Sequence, residues 1–121
     1  MIENSGETLI YLSSVSLVCA QLEVSRWLGD LEPGSQVVEI VVPSERATGS
    51  VPVELGGAEV NFAAGGMSSA YETAATGGRV TFTQSEPESI VVGTVVAEYA
   101  DSGESVRGRF RATYCAGGQG Y

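Results

Sequence analysis

Arg107, Arg109 and Arg111 stand at every second position of the stretch VRGRFRATYC, residues 106–115. Three guanidinium groups at that spacing could grip a carboxylate, sulfate or phosphate, because each presents a planar fork of donors. The setting opposes a general anion trap. The 121-residue chain carries a net charge of −9, which repels nucleic acid and anionic membrane at long range. The alternation has a second meaning: if Phe110 points into a core, period-two geometry turns the neighbouring arginines to solvent. They then serve as ordinary cross-strand surface, partly neutralised by Glu98 and Glu104.

Other candidates for chemistry are few. There is no histidine and no lysine, so the commonest general base and the commonest metal ligand are both missing. Zinc would have two cysteines only, which do not complete a tetrahedral site. Calcium would want Asp/Asn-rich loops, yet the acids are almost all glutamate and the asparagines are Asn4 and Asn61 alone. The pair Glu86 and Glu88 flanks Pro87 and reads as a solvated turn, not as a glycosidase acid pair. No Ser-His-Asp set can be assembled, and the Gly-Gly runs lack the lysine of a phosphate loop. The expectation is therefore no enzyme activity, no metal and no cofactor, with neither nucleic acid nor membrane insertion among its partnerships.

The two cysteines, Cys19 and Cys115, sit near the start and near the end. They either pair, as in exported β domains, or remain two buried apolar thiols. A catalytic cysteine is disfavoured, since no histidine exists to activate it. The opening MIENSGETL carries acid where a signal peptide carries base, so an export signal is not among these residues.

These side chains must be carried by an all-β frame. Short runs with β-branched residues and period-two alternation appear at 8–14, 35–43, 50–55, 58–64, 68–74, 79–84, 90–99 and 106–115, with glycine or proline between most of them. The expectation is one domain over 1–121, an antiparallel β-sandwich or barrel of about seven to nine short strands. Pro52 marks 50–55 as an edge, because proline cannot donate to a ladder. Gly56-Gly57 reads as a hairpin turn into 58–64. Residues 15–29 fit both periods; a short helix near 16–28 is favoured by Ala20, Gln21, Leu22 and Glu23. The last two strands, turned at Asp101-Ser102-Gly103, align Val95 with Phe110, Gly93 with Ala112, and Glu98 with Arg107. The small Gly93/Ala112 pair leaves room for a core aromatic, with Trp27 or Tyr71 as candidates.

TLIYLSS, the Cys19–Leu22 segment of LVCAQLE, and the closing run Gly93, Val95, Ala97, Val106, Gly108, Phe110, Ala112 and Cys115 together resemble a group of uncharacterised bacterial secreted or lipoprotein-type β domains. The resemblance implies a disulfide between Cys19 and Cys115 and an extracellular, periplasmic or cell-surface location. It implies no activity. Two function classes follow. One is a non-catalytic binding or structural module that contacts another protein or copies of itself. The other is a barrel-type carrier of a small apolar ligand, which needs an unfilled apolar cavity; nine aromatics and many valines are enough to fill a compact core and little more.

Overall fold

A computed structural model describes residues 1–4, 6–24, 27–66, 73–86, 89–100 and 102–118, without the side chains of residues 4 and 73. Tyr71, Glu88, Asp101 and most of the 68–74 run lie outside the described residues. Nine strands are present among the described residues: β1 (Ile2–Asn4), β2 (Glu7–Ser13), β3 (Gln36–Pro43), β4 (Gly49–Pro52), β5 (Glu59–Ala64), β6 (Thr73–Ala74), β7 (Gly77–Glu86), β8 (Ile90–Tyr99) and β9 (Glu104–Thr113). They form two antiparallel sheets, ordered β1-β2-β3-β5-β6 and β4-β7-β8-β9. The architecture is a sandwich.

Alternation decides what lies between the sheets. Ile10, Ile40, Val42 and Val60 from the first sheet meet Val80, Val91, Val95 and Phe110 from the second. Gly93 shows why sequence and packing agree here. Its register partners are Phe82 on one side and Phe110 on the other. A Cβ at Gly93 would run into the Thr81 carbonyl and sit 3.0 Å from the Phe110 ring. The two phenylalanine rings meet edge-to-face, with centroids 6.0 Å apart, an arrangement favoured by the ring quadrupoles. The space over Gly93 is thus filled by an aromatic, as its size demands, but by Phe110 instead of Trp27.

Trp27 belongs to a second core, on the outer face of the five-stranded sheet. Residues 14–24 and 27–35 cross that face as a strap containing a short helix, α1 (Cys19–Leu22), and a 3-10 turn at Trp27–Asp30. The helical tendency of this segment is realised, though only for single turns. Leu22, Trp27, Leu28 and Leu31 pack on Leu9, Tyr11, Val37, Val41 and Ala63. Trp27 meets Tyr11 edge-to-face at 4.9 Å. The disulfide Cys19–Cys115 joins the strap to the segment after β9, closing a separation of 96 residues with Cα atoms 5.2 Å apart.

Two positions depart from what local patterning implies, and the strap explains the first. Glu39 and Asn61 occupy the outer face, where an uncovered sheet would be wet, yet they are 1% and 3% exposed. They are register partners, and Asn61 Nδ2 donates to Glu39 Oε1 at 3.3 Å. A buried carboxylate persists only with such partners. The second departure is at Gly56-Gly57. The turn is tight, with Gly57 N–H donating to Glu54 O and Ala58 N–H to Pro52 O, both at 2.9 Å, but β4 and β5 lie in different sheets. It is a crossover between layers and not a hairpin. Pro52 does mark an edge, since β4 ends the four-stranded sheet.

Candidate functional site

The other edge of that sheet is β9, which carries Arg107, Arg109 and Arg111. Gly103 sets how β9 meets β8. It adopts φ +71°, a left-handed conformation that glycine takes without steric cost, and its N–H donates to Tyr99 O at 2.8 Å. The loop therefore ends at Gly103 and the ladder opens with Tyr99 opposite Glu104. This differs by two residues from the register expected from the turn. Gly93 faces Phe110, Val91 faces Ala112, and Arg107, Arg109 and Arg111 face Val96, Thr94 and Val92. A shift of two preserves the faces: Phe110 and Ala112 are buried and all three arginines are exposed.

The shift matters for charge. Glu98 lies opposite Ser105 instead of Arg107. Among the described residues, none of the three guanidinium groups has a hydrogen bond or ion pair. Elsewhere arginines are engaged: Arg46 donates to Gly56 O at 2.6 Å and Arg79 to Ser50 Oγ at 2.7 Å. The expected neutralisation of the stripe by Glu98 and Glu104 is thus not found.

The backbone of β9 is half free as well. Tyr114 N–H donates to Ser89 O at 2.9 Å, extending the β8–β9 ladder by one hydrogen-bonded pair. Such pairs alternate in an antiparallel ladder, so the even-numbered residues bond to β8. Ser105, Arg107, Arg109 and Arg111 then direct their N–H and C=O groups away from the sheet. The same parity places Thr113 O and Cys115 N–H outward, and there Met1 covers them: its amino group donates to Thr113 O at 2.8 Å, and its carbonyl accepts from Cys115 at 2.7 Å. Among the described residues, the uncovered edge therefore runs from Ser105 to Arg111.

A groove follows this edge. A hollow of about 330 Å³ has Leu12, Val38, Phe62 and Val106 in its mainly apolar lining, which also includes Gln36 and the β9 residues Gly108 and Arg109. Gly108 lies on the core-facing side of β9, yet a Cβ there would meet nothing within 4 Å. Beside it, a hollow of about 300 Å³ is lined by Phe62, Tyr99 and Val106. The Tyr99 hydroxyl is buried and has no hydrogen-bond partner among the described residues. Burial raises the pKa of this phenol above its ordinary value.

The remaining candidates do not converge on a reacting centre. Glu86, exposed at the end of β7, accepts from Gln84 Nε2 at 3.3 Å. Among the described residues, no group of three or more His, Cys, Asp or Glu could hold a metal ion. Also among them, no helix is long and apolar enough to cross a membrane. Sequence reasoning missed the buried Glu39–Asn61 pair; the signal was a lone acid inside the unbroken apolar run VVEIVV. Compared with protein-family models, with curated proteins and with solved structures, the chain matches none.

Proposed function

We propose that this chain is a non-catalytic binding or structural module that acts through protein–protein contacts outside the cytoplasm. The observation that carries the proposal is the edge of β9: outward backbone groups from Ser105 to Arg111, flanked by three guanidinium groups with no partner among the described residues. An open sheet edge is a template for another chain. The disulfide Cys19–Cys115 supports an oxidising compartment, and with it the secreted or lipoprotein-type setting implied by the sequence resemblance. Absence of histidine supports a non-catalytic role.

A carrier for a small apolar ligand ranks second. Its cavity would have to lie between the sheets, and that space holds Phe82, Phe110, Tyr99 and the valines of both layers. The two readings separate in one experiment. The wild type and a variant carrying Arg107→Gln, Arg109→Gln and Arg111→Gln are tested on an array of defined proteins and glycans, in parallel with displacement of an apolar dye. A salt-sensitive protein ligand lost in the variant supports the module. Dye uptake without any macromolecular ligand overturns it.

A further inference from the structure

We propose that β9 receives an extended segment of a partner chain, in which apolar and acidic residues alternate, as an added strand along Ser105–Arg111. This deepens the binding-module reading and rests on it. Three features of the edge each select one property of the occupant.

The backbone selects a polypeptide. Outward N–H and C=O groups at every second residue need alternating acceptors and donors in an extended chain, which a glycan or nucleic acid does not supply. Met1 already closes the far end at Thr113 and Cys115. The open stretch is residues 105–111, about 20 Å of strand.

The arginines select acid on one face. Residues of an added strand that share the outer face lie beside Arg107, Arg109 and Arg111, which are exposed and unpaired among the described residues. Carboxylates there complete bidentate pairs. A second copy of β9 is disfavoured, because antiparallel pairing of two such edges sets arginine rows side by side, and like charges across a ladder are destabilising.

The groove selects apolar residues on the other face. Side chains of the added strand alternate, so those between the acids point into the hollow beside Leu12, Val38, Phe62 and Val106. Gly108 leaves this space empty.

The test uses a labelled synthetic peptide of about nine alternating valine and glutamate residues, long enough for the open edge at about 3.3 Å per residue. A control peptide has the same composition arranged as two blocks. Binding is read by fluorescence anisotropy, and its place by amide exchange with NMR detection. The alternating peptide is expected to bind at least tenfold more tightly than the block isomer and to slow exchange at Arg107, Arg109 and Arg111. Gly108→Val, whose Cβ would meet nothing within 4 Å, places side-chain bulk in the hollow, so it should weaken binding at least tenfold while the melting temperature holds. The triple arginine-to-glutamine variant should abolish the salt dependence. Equal binding of both peptides, or protection at other strands, overturns the proposal. If neither peptide binds but the protein associates with a defined partner or itself through another surface, the added-strand proposal fails and the module reading stands. If no macromolecule binds and the apolar dye does, the module reading fails too.

Discussion

Breaking the Cys19–Cys115 bond should cost the protein a large part of its stability. The bond closes a loop over a sequence separation of 96 residues. In the chain-entropy model, a loop of that size restricts the unfolded state enough to contribute about 4–5 kcal/mol. A single domain has about 5–15 kcal/mol in total, so the reduced protein should be marginal. The bond also ties the strap to the segment after β9, and the strap buries Leu22, Trp27, Leu28 and Leu31. Urea melts of the oxidised protein and of a Cys19→Ser/Cys115→Ser variant measure the cost. With a urea slope of about 1.5–2 kcal/mol/M, the midpoint should fall by about 2–3 M. Trp27 is the sole tryptophan and 1% exposed, so its fluorescence reports the strap, while far-ultraviolet dichroism reports the sheets. A midpoint shift below about 0.5 M would refute the reasoning, since neither the loop closure nor the anchoring of the strap would then matter.

Other substitutions test the packing. Phe110→Ala should cost about 3–5 kcal/mol in a denaturant melt, because the ring fills the space over Gly93 and leaves a cavity. Arg109→Ala on the same strand, exposed and without an ion pair among the described residues, should cost less than about 1 kcal/mol; equal costs would mean that β9 faces the other way. Gly93→Ala should be at least as damaging as Phe110→Ala, since its methyl group runs into the Thr81 carbonyl; a melt within about 0.5 kcal/mol of wild type would contradict that close approach. Tyr99→Phe removes a buried hydroxyl that has no partner and should stabilise by about 1 kcal/mol at neutral pH. The folded pKa of Tyr99 is raised, so its neutral form favours folding fully below the ordinary phenol pKa of 10.0, and stability falls as pH rises beyond it. Melts across that range should show a steeper alkaline loss in the wild type than in Tyr99→Phe.

The sandwich was legible because alternation and turn residues act locally. Pro52 announced an edge, and Phe110 and the arginines were assigned to the correct faces even with the register two residues off. That error came from Gly103, whose left-handed backbone fixes where the loop ends; the run Asp101-Ser102-Gly103 does not by itself say which residue takes that conformation. Larger misses came from contacts between segments distant in sequence. The burial of Asn61 is not legible in its strand, because alternation cannot reveal that residues 14–24 and 27–35 fold back over that face. Gly56-Gly57 looked like a hairpin because a tight turn reads the same whether the next strand stays in the sheet or leaves it. The candidate site was half visible: the arginine stripe stood out, but it is strand order that leaves one side of β9 without a partner strand among the described residues, and strand order is a property of the whole fold.

Amide exchange along β9 in the free protein shows whether that edge is open, because exchange distinguishes N–H groups held in a ladder from those left to water. An open edge gives alternation: slow exchange at Gly108, Phe110 and Ala112, whose N–H groups bond to β8, and fast exchange at Arg107, Arg109 and Arg111, whose N–H groups face outward. Uniformly slow exchange from Ser105 to Arg111 in a monomeric sample would contradict it, since the edge would then already be covered by the protein's own chain.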